Sequence, residues 1–248
     1  MTRFHPTLTI AWYTMLEARR NRLGWFLLLL AAVALAVALF AGQLALTESR
    51  QLQLALSGAL VRVGAVLLMC AFVIASLQRE VMEKGQQLVL ALAIPRAGYL
   101  IGKLGGFFAL AIAPALLFGA LAFWAAPGVS ALIWALSLLC ELWIMIAFSA
   151  LCALGTGQLV GALAATSGFY VLARAAGALA LLAHDGLAGV LARALALLLP
   201  HLDLFARADW LVYADAGPAQ LAPVLLQTAL YVPLLAAAAL VDLYRKEL

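Results

Sequence analysis

Charge is what this chain has least of. Only 10% of its 248 residues are Asp, Glu, Lys or Arg, and 67% are hydrophobic, whereas a soluble domain carries about 25% charged residues. That shortage excludes a water-soluble surface all round, and it equally excludes disorder, which needs the opposite balance. Histidine and cysteine are scarce, with three of each. His5, His184 and His201 have no metal-ligand partner at helical spacing. Cys70, Cys140 and Cys152 each sit in an apolar run with no CxxC pair or Cys/His cluster, so zinc or haem attachment is not expected and no metal or cofactor is assigned to the chain. No GxxxxGK[ST] occurs, so nothing here cradles nucleotide phosphates. No basic, aromatic-interleaved face suggests nucleic acid, although the net charge is +4. No small-residue cleavage site stands near the first apolar run, so a cleaved signal peptide is not expected.

What the sequence does have is apolar length. Mean hydropathy is +1.11, and a bilayer core of about 30 Å needs roughly 20 apolar residues per helix. Six segments meet that need: 23–46, 56–77, 104–124, 129–154, 160–183 and 224–243. The expected fold is therefore all-α and integral to the membrane, with six transmembrane helices in a single domain. A further stretch, Leu187–Leu199, is interrupted by Arg193, ends at Pro200 and is too short to span; a re-entrant or interfacial helix suits it.

Basic residues orient the spans. With the N-terminus inside, ten of the fifteen fall in cytoplasmic segments (Arg3, Arg19, Arg20, Arg22, Arg79, Lys84, Arg96, Lys103, Arg245 and Lys246), against three outside (Arg50, Arg193 and Arg207). This predicts both ends in the cytoplasm. Before the first span, Phe4, Leu8, Trp12, Met15 and Leu16 recur at helical spacing, with Thr7, Thr9, Thr14 and Glu17 between them. That pattern predicts an amphipathic helix on the cytoplasmic surface, either a plain anchor or a partner contact. Spans 3 and 4 are joined by a tight turn at Ala126-Pro127-Gly128, and spans 4 and 5 by Gly155-Thr156-Gly157-Gln158. Two connections are long, a cytoplasmic one over Gln78–Lys103 and an external one over His184–Pro223.

The cytoplasmic connection clusters Arg79, Glu80, Glu83 and Lys84 where span 2 leaves the bilayer. Gly85 can break the helix there, and Gln86–Ile94 can form a short apolar-faced helix stopped by Pro95. Arg96 and then Tyr99-Leu100-Ile101-Gly102-Lys103 lead into span 3. This pattern of acidic-x-x-acidic-x-Gly, short apolar helix, Pro, Arg and Tyr-x-x-Gly-Lys resembles the permeases of type-two ABC exporters. So do the N-terminal helix ending in Glu17-Ala18-Arg19-Arg20-Asn21-Arg22, the six-span layout and the long external segment before the last span. After Gly85 the chain has Gln86-Gln87-Leu88, where that family often has Gly-Thr-Leu.

The resemblance implies that the loop is a coupling helix seated in a groove of a separate ABC ATPase subunit. Its matching positions are Arg79, Glu80, Glu83, Lys84, Gly85, Pro95, Arg96, Gly102 and Lys103. It also implies a multi-pass protein of the inner membrane, a dimer with a second permease copy or a similar chain, and ATP with Mg on the partner ATPase. The external segment would form a helical hairpin, Gly186–Leu199 and Leu202–Tyr213, that partly re-enters the membrane; a solvated loop with one surface helix is the alternative.

Ionisable residues within spans cost roughly 2.5–3.5 kcal/mol on insertion scales and face protein or water. Glu141 lies midway along span 4 and Arg174 in the outer half of span 5, at depths that allow an ion pair, either structural or at the translocation path. Arg62 is expected near the outer end of span 2, reaching the headgroups, and Asp242 beside Arg245 as an interfacial pair. An intramembrane enzyme finds no support. Asp185-Gly186-Leu187-Ala188 starts but does not complete a phosphatidyl-transferase signature, and Ser167 lacks the GxSxG setting and in-span histidine of a rhomboid-type protease. A self-powered carrier or channel, or a non-transporting scaffold, remains as the rival class, and the apolar lining suits a hydrophobic or amphipathic cargo. Charge reversal at Glu80 and Glu83 is expected to uncouple a partner ATPase while leaving the bundle folded. Unchanged stimulated ATP hydrolysis in the variants would count against a coupling role.

Overall fold

The computed structural model describes residues 6–44, 49–82, 95–178, 198–205, 207, 209–213 and 215–245. Those residues form helices α1 (Pro6–Arg20), α2 (Leu23–Leu44), α3 (Ser49–Met82), α4 (Arg96–Ala125), α5 (Val129–Thr156), α6 (Leu159–Arg174), α7 (Asp209–Val212) and α8 (Pro218–Arg245), with no strand among them. Five of them, α2, α3, α4, α5 and α8, are long and apolar enough to cross a membrane. The chain is an all-helical, multi-pass membrane protein. The fifth expected span is described as α6, which at 16 residues is shorter than the roughly 20 a crossing needs. The chain bends after it at Ala175, and 179–183 lie outside the described residues.

Burial sorts the helices into centre and rim. Of the apolar stretch of α5, 67% is buried, and of α3 56%, against 22% for α2 and 17% for α8. Helix α5 therefore forms the axis, touching α3, α4, α6 and α8, and α2 lies against α3. The rim helices turn large side chains outward, among them Trp25, Phe26, Leu29 and Phe40 on α2 and Leu226, Leu230 and Leu234 on α8. Inward they present small ones, such as Ala34, Ala38 and Ala41 on α2. This is the pattern for a bundle whose solvent is hydrocarbon, where close backbone approach replaces hydrophobic exclusion as the reason to associate.

Helix α1 follows the same rule. Leu8, Trp12 and Tyr13 are exposed, while Thr14 and Ala18 are buried. The face carrying Thr14 and Ala18 is thus turned into protein, with the Thr14 hydroxyl donating to the carbonyl of Ile10 at 3.0 Å. It lies on α4 over Gly102 and Gly106, where a Cβ would come within 2.7 Å of the Thr7 carbonyl oxygen and 2.8 Å of Thr14 Cβ respectively. The corner between α1 and α2 places Arg22 at φ 55°, a left-handed conformation that costs a non-glycine residue about 1–2 kcal/mol. At the other short turn, Gly157 takes φ 62° and ends α5 as a left-handed cap.

Four expectations are corrected. Helix α3 starts at Ser49, not near Leu56, because Arg50, Gln51 and Gln53 lower local hydropathy without interrupting the helical backbone. Arg62 is consequently about 20 Å into the helix, and it is buried inside the bundle with 1% exposure instead of reaching outward. Among the described residues of the second arm of the expected hairpin, Leu202–Phe205 is a turn and Asp209–Val212 is helical; most of the first arm lies outside the described residues. Asp242 makes no ion pair with Arg245; its carboxylate lies instead beside Gly155, 3.0 Å from where a Cβ would stand.

Gly106→Val is expected to lower stability by about 1–3 kcal/mol through overpacking of α1 on α4, read as an earlier thermal transition in detergent. Gly105→Val is the control, because nothing lies within 4 Å of a Cβ there. Equal losses from both would remove the close-approach explanation.

Candidate functional site

Two polar clusters interrupt the apolar bundle, one at the end carrying α1 and one midway along α3 and α5. The first is built where α3 ends and α4 begins. Pro95 precedes α4 in an extended conformation, which stops any helix running in from the loop. One turn apart on α4, Tyr99 and Lys103 present their polar ends to the same carboxylate. Lys103 Nζ lies 2.5 Å from Glu80 Oε1, and the Tyr99 hydroxyl donates to Glu80 Oε2. Lys103 also reaches Glu17 Oε2 on α1 at 3.2 Å, and that oxygen accepts from the Ser76 hydroxyl at 2.7 Å.

One buried ammonium thus joins α1, α3 and α4. Around it, Gln78 Nε2 donates to the carbonyl of Ala153 on α5 at 2.7 Å. Arg96 Nη1 donates to the carbonyl of Leu243 on α8 at 3.2 Å, and Arg79 Nη1 donates to Asn21 Oδ1 at 3.3 Å. Of the residues expected to meet a partner ATPase, Glu80, Gly102 and Lys103 are engaged in helix-to-helix contacts of this chain. Glu83, Lys84 and Gly85, with the short helix expected over Gln86–Ile94, lie outside the described residues. Because Glu80 holds Lys103 and Tyr99, its charge reversal would strain the bundle itself, so a clean test of coupling belongs on Glu83.

The second cluster centres on Arg62. Its Nη1 donates to Glu141 Oε2 at 2.9 Å and to the carbonyl of Phe205 at 2.6 Å. Its Nη2 donates to the carbonyl of Trp134 at 2.9 Å and to Ser137 Oγ at 2.8 Å, and the guanidinium lies 4.6 Å from the Trp134 ring centroid. Glu141 is fully buried. Its other oxygen, Oε1, is 3.5 Å from Arg174 Nη1; neither atom has a hydrogen-bond partner, so this contact is an ion pair without hydrogen-bond geometry. Arg174 keeps 27% of its side chain exposed. Two guanidinium groups therefore share one carboxylate, and the closer is Arg62.

The Phe205 carbonyl arrives from the segment between α6 and α8. The turn at Leu202–Phe205 is held from three sides. Leu202 N donates to the carbonyl of Ala173 at 3.2 Å, His201 N donates to Gln227 Oε1 at 3.0 Å, and Leu202 and Phe205 are fully buried. This turn supplies Arg62 with a second main-chain acceptor, beside the helical carbonyl of Trp134.

Sequence reasoning named Glu17 and Tyr99 only as parts of a pattern, missed Ser76 and Ser137, and misplaced Arg62. Some signal was present: Glu17 is the sole acid before Leu23, and Tyr99 precedes Lys103 by one helical turn. The Phe205 carbonyl had none, because a main-chain oxygen has no letter in the sequence. Among the described residues no group of His, Cys, Asp or Glu could hold a metal ion. No protein-family model and no curated protein matches this chain.

Glu141→Gln is expected to cost about 3–5 kcal/mol, because it leaves the buried Arg62 charge without a carboxylate, and Arg62→Gln less, because Arg174 still faces Glu141. The double variant should lose well under the sum of the two, and Arg174→Gln should couple to Glu141→Gln more weakly. Unfolding of purified protein in mixed detergent micelles measures all of these, and strict additivity of Arg62 with Glu141 would remove the pair.

Proposed function

We propose that this chain is the membrane-spanning permease subunit of an ATP-driven ABC transporter, exporting a hydrophobic or amphipathic substrate and powered by a separate ATPase subunit. In this reading the bundle has six spans, with α6 and the residues following it as the fifth, and both ends face the cytoplasm from the inner membrane. Two copies, or one copy and a similar chain, enclose the pathway.

The observation that carries the proposal is the bonding at both feet of the loop between α3 and α4. That loop resembles a coupling segment in sequence. Its first foot ends in Glu80, and its second begins with Tyr99 and Lys103, all bonded to one another and onward to Glu17 of α1. A push arriving at these feet passes into α1, α3 and α4 together. Arg96 extends the same connection to the last turn of α8. Energy would come from ATP and Mg on the partner, since this chain carries no P-loop.

The test is a pull-down of the full chain from mild detergent, with any co-purifying protein identified and assayed for ATP hydrolysis. A stoichiometric ATPase is expected, released by Glu83→Arg with Lys84→Glu while the chain stays monodisperse. Recovery of the chain alone and intact would favour a self-powered carrier, for which the buried Arg62–Glu141–Arg174 cluster is the supporting observation.

A further inference from the structure

At the end of the bundle away from α1, a partly open cavity of about 420 Å³ lies between α2, α3 and α4, with Trp134 of α5 as part of its wall. Ligand cavities run from about 300 to 1,000 Å³, so it is large enough to hold part of a molecule. It exists because α2 turns small residues inward: Ala34 and Ala38 face Val61, Phe118 and Ala122 across the gap. No carboxylate is among its described lining residues. The charged residue that lines it is Arg50, with Gln53 one turn further along α3 on the same side.

The guanidinium of Arg50 is exposed and donates one hydrogen bond, from Nη2 to the carbonyl of Ala125 at 3.1 Å. Its remaining donors, and the Gln53 side-chain amide, have no protein partner among the described residues. An apolar slot with an underused cation at its edge is complementary to a molecule with a hydrocarbon tail and an anionic head. A peptide segment would fit poorly, because its backbone N–H and C=O groups would stay unsatisfied between walls of Ala, Leu, Val and Phe. An acyl chain brings no polar atom into the slot. A phosphate offers oxygens to the guanidinium fork, the geometry in which arginine binds anions best.

We infer that this cavity holds one acyl chain of an anionic membrane phospholipid, with the lipid phosphate on Arg50 and the Gln53 amide beside it. The site is independent of the transport reading, since it requires neither an ATPase nor a second copy.

Native mass spectrometry of the full chain in detergent, titrated with dioleoylphosphatidylglycerol or dioleoylphosphatidylcholine, tests it. The expected result is one retained phosphatidylglycerol per chain and about tenfold weaker phosphatidylcholine binding. Arg50→Gln should erase the preference between the two lipids. Ala38→Leu, which fills the slot, should weaken phosphatidylglycerol binding about tenfold; Ala122→Leu does the same from the opposite wall and serves if the first variant is not monodisperse. Equal binding of both lipids by the unaltered chain, a preference that survives Arg50→Gln, or unchanged binding by a folded slot-filling variant would each overturn the inference.

Discussion

Arg62 needs hydrogen-bond acceptors at a depth where a bilayer supplies none, and much of the molecule is arranged around providing them. A guanidinium has five donors, and four of its bonds here go to Glu141, Ser137 and two main-chain carbonyls. Meeting that demand requires α3 and α5 to lie side by side at the bundle axis. It also requires the turn at Leu202–Phe205 to descend between them. The turn is held by backbone and side-chain bonds to α6 and α8, so one buried cation sets the mutual placement of four elements. Glu141 cannot be satisfied by Arg62 alone, and its second oxygen brings Arg174 towards the same point.

Outside that polar core the bundle obeys the physics of hydrocarbon as solvent. Large apolar side chains gain little by hiding from lipid tails, so they face outward, and small residues line the contacts. The same logic explains why α1 buries threonine and alanine against Gly102 and Gly106 while exposing Trp12 and Tyr13. It also explains the cavity beside α2, where successive alanines leave a gap that a larger inner face would have filled.

The two polar clusters divide the work. Glu17, Glu80, Tyr99 and Lys103 make the α1 end a stiff junction at the feet of a charged loop, which is where a partner's motion would enter a permease. Arg62 and Glu141 join α3 to α5 further in, and Trp134, whose carbonyl binds Arg62, also walls the cavity. Helix α3 carries residues of all three places, Glu80 at the junction, Arg62 in the buried pair, and Arg50 and Gln53 at the cavity.

Composition and hydropathy alone determined that this chain is all-helical and lives in a membrane, and five of the expected spans correspond to helices long enough to cross one. The short turns at Ala126–Gly128 and Gly157 were legible for the same local reason: proline and glycine act on their own backbone. The ionic partners were not legible. Hydropathy along the chain placed Arg62 near a helix end because it averages over Arg50, Gln51 and Gln53, whereas helix length is decided by backbone hydrogen bonds that continue through them. Glu141 could be recognised as needing a cation, but the choice between Arg62 and Arg174 depends on which helix packs beside α5. Likewise the partners of Glu80 within the chain, Tyr99 and Lys103, were not legible, because they stand on a different helix. Local preference sets where helices form; only their packing decides which buried charges meet, since that depends on distances between residues far apart in sequence.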